Sequence, residues 1–146
     1  MSEKTRGGIR LSSYMQYGWI EPDIDQSSLP YWEGVNNNKL LLPTCHQCEK
    51  MWFPPLPGCP YCASDNWSWS EASGIGKVYS WVVIERALHS AFTKDVPYTV
   101  LTVKLNEGPK IFGRMVDSSK KPYDGMPVKA EFYKTNNHTL LGFSIM

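Results

Sequence analysis

No apolar run in this 146-residue chain approaches the roughly 20 residues that a membrane-spanning helix needs. That excludes a helical membrane anchor within the sequence. Charge of one sign is missing too: 15 Lys and Arg against 14 Asp and Glu leave a net +1. A nucleic-acid-binding domain usually carries a basic excess or stripe, so this balance argues against one. The opening residues Met1 to Gly8 are polar and contain no apolar stretch of the signal-peptide kind, which points to the cytosol. Two catalytic motifs are absent, HExxH and any recognisable Ser/His/Asp arrangement around His46, His89 or His138. Nor is there a phosphate-cradling loop: Gly74-Ile75-Gly76 is too short and opens a strand, not a helix. Carboxylates are scattered, with no pair that the sequence sets across a cleft.

Cysteine is scarce, and its placement is informative. The chain has four, Cys45, Cys48, Cys59 and Cys62, in the pattern C-x2-C-x10-C-x2-C. Two close pairs can wrap four thiolates tetrahedrally around one soft ion, most commonly Zn2+. In the cytosol disulfides are rare, and paired CxxC motifs mean metal or redox chemistry. A thioredoxin-type pair would stand alone beside a βαβ pattern, and none is present. Rubredoxin-like iron is the alternative occupant, because four thiolates suit both ions. His46 lies inside the first knuckle as a substitute ligand, but four thiolates already suffice. A four-thiolate site is closed to water, and no thiol is left to serve as a nucleophile.

Aromatic residues, by contrast, are plentiful at 13%, with six Trp and eight Tyr. Such rings build cores and also partner surfaces. The hydrophobic fraction of 42% suits one globular domain, or a small domain plus a metal module.

Residues 1–10 read as an unstructured polar tail. The aromatic-rich segment Leu11–Ile20 follows, with Gly18 weakening a helix there. A short helix is expected after Ser27 or Ser28, with Pro30 in its first turn and Asn36-Asn37-Asn38 as its stop. Lys39–Thr44 leads as a strand into the first knuckle, and Lys50–Phe53 leads out of it. Pro54-Pro55-Leu56-Pro57-Gly58 forms a stiff connector to the second knuckle, Cys59-Pro60-Tyr61-Cys62. Residues 66–71 alternate and return as a strand, completing a zinc ribbon. Ser73–Gly76 reads as a hinge. Beyond it come five strands: Lys77–Arg86, Pro97–Leu105, Lys110–Val116, Pro127–Tyr133 and Thr139–Ile145. Five strands in so short a span suit a small closed barrel of the OB type, with an SH3-like barrel as the alternative. The fold class is therefore mainly β: an N-terminal helical segment (1–38), a four-cysteine zinc ribbon (39–73) and a C-terminal five-stranded OB-type barrel (74–146).

Several short motifs now line up in order. They are Pro30-Tyr31-Trp32-Glu33-Gly34, Lys39-Leu40-Leu41-Leu42, both knuckles, Phe53-Pro54-Pro55 and Gly74-Ile75-Gly76-Lys77-Val78-Tyr79-Ser80. Pro97-Tyr98, Glu107-Gly108-Pro109 and Gly125-Met126-Pro127-Val128 continue the series. In order and spacing they resemble the DUF35 family, which joins a helical segment, a rubredoxin-like zinc ribbon and an OB-fold. Two departures stand out. The family often has Gly after the first CxxC where this chain has Glu49, so a different turn is expected there. The polar loop after Val116 also lacks a clear helix.

The resemblance implies a non-catalytic accessory subunit with one structural Zn2+ on Cys45, Cys48, Cys59 and Cys62. Its implied partner is a thiolase-superfamily enzyme or another acyl-CoA enzyme, such as a hydratase or aldolase, in a hetero-oligomer that binds acyl-CoA. A two-subunit thiolase that cleaves benzoylsuccinyl-CoA is one such system. The residues expected to meet a partner or acyl-CoA are Tyr31, Trp32, Phe53, Pro54, Pro55, Arg86, Lys94 and Arg114. Lys110 is a further candidate cation for CoA phosphates, although a solvated charged face explains each of these cations as well. The competing readings are a single-strand nucleic-acid binder, stacking bases on Tyr79, Trp81, Tyr98 and Phe112, and a rubredoxin-like electron carrier.

Overall fold

The computed structural model describes residues 22–117, 119–134 and 138–146, with the backbone of 5–6 and 9–10. Strands β1 (Thr5–Arg6) and β2 (Ile9–Arg10) pair antiparallel within the expected tail. The aromatic segment 11–20 lies outside the described residues.

The expected helix is present as α1 (Leu29–Asn36), with Pro in its first turn, where a missing N–H costs nothing. Ser28 holds the N-cap position, but its side chain makes no cap bond. Instead the Asp25 carboxylate accepts from the Ser28 N–H and the Ser27 hydroxyl, each at 2.8 Å, in a turn ahead of the helix. These bonds hold the Asp25 carboxyl below the usual carboxylate range. At the other end the Asn37 and Lys39 N–H groups return to the Gly34 carbonyl, and Asn38 takes a left-handed φ of 59°. Gly34 lets the helix lie on the next strand: a Cβ there would come within 2.8 Å of Leu41 Cγ.

Strands β3 (Leu40–Cys45) and β4 (Trp67–Ala72) pair antiparallel from Leu40↔Ala72 to Cys45↔Trp67. This ribbon has two unlike ends. Its base puts Leu40, Leu42 and Ala72 into the main hydrophobic core. Its tip carries the cysteines.

Five strands follow, close to where the alternation places them: β5 (Ile75–Ile84), β6 (Tyr98–Leu105), β7 (Lys110–Met115), β8 (Pro127–Lys134) and β9 (Thr139–Ile145). They close into a barrel in the order β5-β6-β7-β9-β8. Neighbours are antiparallel except β7 and β9, which run parallel through Arg114↔Gly142 and Met115↔Phe143. This is the OB-type arrangement. Leu101, Val103 and Leu105 of β6 alternate into the core beside Val78, Ile111, Val128 and Phe143. Gly113 makes room for the Phe143 ring, which a Cβ would approach to 2.7 Å.

The Ser73–Gly76 segment is not a free hinge. The Glu107 carboxylate accepts from both the N–H and the hydroxyl of Ser73 at 2.9 Å. The Gly74 carbonyl accepts from the Ala130 N–H at 2.7 Å. Ribbon base and barrel are thereby joined through one core and a fixed junction. Between β7 and β8 no helix occurs among the described residues. A 3-10 turn at Ser90–Phe92, absent from the sequence reading, is capped by His89 Nδ1, which accepts from the Ala91 N–H at 3.0 Å.

Candidate metal centre

The β3–β4 pairing stops at Cys45, where the chain turns over a knuckle and returns through an isolated bridge, Thr44↔Met51. The second knuckle comes after the proline connector. In both, the residue after the second cysteine is left-handed: Glu49 at φ 61° and Ala63 at φ 62°. The turn expected to differ at Glu49 is therefore kept, and the side chain tolerates a conformation that glycine adopts at lower cost. The repeat extends to the sulfurs. Gln47 and Cys48 N–H groups donate to Cys45 Sγ at 3.3 and 3.4 Å. Tyr61 and Cys62 N–H groups do the same for Cys59, while Lys50 and Ser64 N–H groups serve Cys48 and Cys62. Each knuckle is a ring of backbone donors aimed at anionic sulfur.

The four Sγ atoms lie within 4.8 Å of one another. Cys45 and Cys62 are 3.6 Å apart, and Cys48 and Cys59 3.5 Å. A disulfide requires about 2.05 Å. Tetrahedral sulfur about 2.3 Å from zinc requires neighbours near about 3.8 Å. The spacing fits the metal and not the disulfide.

The electrostatics agree. The Cys48 N–H, with the Gln47 N–H and neighbouring thiols, draws the Cys45 thiol down to about 6 against its burial. Cys59 is also lowered, as the Cys62 and Tyr61 N–H groups outweigh burial. Cys62 gains from the Ser64 N–H, yet burial and the adjacent sulfurs push it up to about 12. Cys48 is raised likewise, the Lys50 N–H being outweighed by burial and by Cys59 and Cys45. Backbone N–H groups favour thiolates at all four positions while burial and the neighbouring sulfurs oppose a full set of charges, so a dication is what lets all four be held together.

Aromatic packing supports the cage. Trp52 is buried beside Cys45 and Cys59, meets Trp67 edge-on at 5.6 Å, and donates its indole N–H to the Leu56 carbonyl at 3.3 Å. Trp67 in turn meets Trp69 at 6.0 Å. Lys50 Nζ sits 4.8 Å over the Tyr61 ring, linking the knuckles. The alternating Trp67-Ser68-Trp69 is the local trace of this stack, although alternation by itself marks only a strand. His46 is not in the cluster; its Nε2 lies 2.8 Å from Ser68 Oγ.

The residues expected to meet a partner divide into two groups. Tyr31, Trp32 and Phe53 are half-buried and join a chain of ring contacts, two edge-to-face and the Tyr31–Phe53 one tilted, that bridges helix, connector and barrel. Trp32–Tyr31 centroids are 5.1 Å apart, Tyr31–Phe53 6.2 Å and Phe53–Phe112 6.3 Å. Pro54 beside them is exposed and Pro55 half-buried. Arg86 and Lys94 are exposed in the segment between β5 and β6. Arg114 is not a free cation. It pairs with Asp95 at 3.2 Å, with side-chain exposures of 10% and 2%, and stacks 3.9 Å over the Tyr98 ring. Of the rings considered for base stacking, Tyr79, Trp81 and Phe112 are exposed, but Lys110 Nζ sits 3.8 Å over Tyr79 and Phe112 meets Phe53, while Tyr98 is occupied by Arg114.

Known proteins share this arrangement. Residues 32–68 match the rubredoxin-like zinc ribbon domain of ChsH2, and residues 69–133 match its C-terminal OB-fold domain. A probable enoyl-CoA hydratase alpha subunit from Thermomonospora curvata is 32% identical over 116 residues, covering 79% of this chain but 36% of that longer protein. A DUF35 domain-containing scaffold protein from Methanocaldococcus jannaschii is 32% identical over 111 residues, covering 74% of this chain and 78% of that one. Among solved structures, an Ltp2-ChsH2(DUF35) aldolase contains a chain with TM-score 0.76 and 31% identity, with 86% of this chain and 98% of that one covered. A Sulfolobus solfataricus DUF35 protein of unknown function has the same fold, at TM-score 0.58 and 13% identity. The four-cysteine cluster is a structural zinc site.

Proposed function

The chain belongs to the DUF35 family, and on that premise we propose that it is a cytoplasmic, zinc-containing accessory subunit of an acyl-CoA-processing enzyme. The enzyme subunit carries the chemistry. This chain supports assembly and acyl-CoA binding. A thiolase-superfamily partner is the specific form of the reading, and hydratase or aldolase partners are the broader one. One observation carries it most directly: a relative that this chain covers over 98% of its length is part of an aldolase. The closed four-thiolate site supports it, because every cysteine of the chain is used in holding the ribbon. Pro54, Arg86 and Lys94 are the exposed members of the expected contact set and are placed toward partner or acyl-CoA in this proposal.

The test is purification of the tagged chain from its native host. The expected result is a stoichiometric complex with one acyl-CoA enzyme subunit that cleaves or forms a carbon–carbon bond, or hydrates a double bond. Recovery of the chain with no acyl-CoA enzyme, under conditions that preserve zinc, sinks the proposal.

A further inference from the structure

One strand of the barrel is unfinished. β5 runs for ten residues, Ile75–Ile84, and pairs with β6 along nearly all of them, to Ile84↔Tyr98. On its other edge it meets β8 only at Ile75–Lys77, and Val78 closes that contact by bonding the Met126 carbonyl and the Gly125 N–H. Past a bulge at Tyr79, residues 79–84 have no strand on that edge among the described residues. Most of their side chains are uncovered as well, although Ile84 is half-buried and Lys110 Nζ sits 3.8 Å over the Tyr79 ring. Trp81 is 39% exposed, Val82 56% and Val83 50%, so successive residues stand open on both faces of the strand. Leu88, just beyond, is 93% exposed.

An apolar edge whose backbone groups meet no strand among the described residues is a template for another strand. Proteins that must keep such an edge free place lysine or proline on it; Tyr79-Ser80-Trp81-Val82-Val83-Ile84 contains neither. We propose that residues 79–84 of β5 are the docking edge for the enzyme subunit, which adds an extended segment as a sixth strand. This rests on the accessory-subunit reading above and names the surface that serves it. The occupant's chemistry follows from the edge. It is a strand of about six residues, matching the free length, with apolar side chains alternating toward Trp81 and Val83 on one face and Val82 on the other. The adjoining segment carries Arg86 and Lys94 against one carboxylate, Glu85, since Asp95 is already paired to Arg114, so an acidic residue at the end of the occupant complements its cationic excess. A second copy of this chain suits the edge less well. In the two-fold antiparallel register that uses the whole free stretch, Tyr79↔Ile84, each Arg86 is brought opposite the other copy's Lys77.

The test uses the native complex, with Val82→Lys and Val83→Lys variants, both at exposed positions that the barrel tolerates. The first readout is complex affinity, with zinc content and thermal unfolding of the free chain as controls. The second is amide hydrogen exchange of residues 79–84 in free chain and complex. The proposal expects about a tenfold or greater loss of affinity in each variant, and slowed exchange of these amides on complex formation. Unchanged affinity overturns it, as does exchange at 79–84 that is the same with and without the enzyme subunit. The amides that read the edge are the alternate ones that point away from β6, and protection of those in the free chain also overturns it, because the edge is then covered by this chain itself or by a second copy. If the acyl-CoA enzyme co-purifies but the variants still bind it, the edge fails and the accessory reading stands. If no acyl-CoA enzyme co-purifies, both fail.

Discussion

The ribbon tip and the barrel are folded by different forces. The barrel buries a conventional core, with Leu101, Val103, Leu105, Ile111, Val128 and Phe143 each at most 2% exposed. The tip buries little beyond Trp52, Cys45 and Cys59, with Cys48 and Trp67 half-covered beside them. Its organisation comes from four thiolates and the backbone donors around them. Apolar area of that size could not order about twenty residues with three prolines in their connector; a metal cross-link can. The lesson concerns commitment. A barrel strand tolerates repacking, whereas a knuckle has no substitute for its ligands.

Metal removal breaks the comparison most sharply. Structural zinc sites contribute apparent binding free energies of about 10–16 kcal/mol. Chelation at neutral pH, or Cys45→Ser, is expected to unfold the tip while the barrel keeps its β signal. The tryptophan fluorescence of Trp52, Trp67 and Trp69 reports the tip; a chelator that leaves it unchanged would show that the metal is dispensable.

The converse change attacks the barrel. Phe143→Ala empties the space beneath Gly113 and should cost about 3–5 kcal/mol. Zinc content should stay at one per chain. Metal loss in that variant, measured by elemental analysis, would show that the tip depends on the barrel after all.

Alkaline pH should also select the non-metal region. Burial pushes the phenols of Tyr31 and Tyr133 up to about 12 from 10.0. The fold favours the neutral rings, so their contribution is complete below pH 10 and is lost as pH rises from 10 toward 12. At pH 11 each ring should cost about 1 kcal/mol, read by denaturant unfolding. Tyr133→Phe should flatten that dependence; a slope unchanged in the variant contradicts the assignment.

The smallest effect sharpens the knuckle. Glu49→Gly relieves a left-handed φ of 61° and should stabilise the holo ribbon by about 0.5–1 kcal/mol. The gain belongs in zinc retention against a competing chelator, and a loss there would count against strain at Glu49.

Much of this was legible beforehand, because the signals are local. Alternation marks all five barrel strands to within two residues at each end, and CxxC spacing marks the metal. Pro30 marks the helix start. What the sequence hid is long-range or conformational. The Glu107–Ser73 clasp spans 34 residues and Arg114–Asp95 spans 19, so neither leaves a periodic trace. Arg114 thus reads as a surface cation until the loop folds back on it. Ala63 shows nothing in its identity of the left-handed turn that it shares with Glu49. The unpaired edge of β5 follows from where β8 stops, a matter of register that residue type does not encode.

The central claim is that this chain completes an enzyme whose chemistry lies elsewhere. The direct measurement is turnover of the co-purified acyl-CoA enzyme subunit, assayed alone and with one equivalent of zinc-loaded chain. The account predicts low activity alone, restoration with the chain, and no turnover by the chain itself. An enzyme subunit fully active and stable alone, unchanged by the chain, would contradict it.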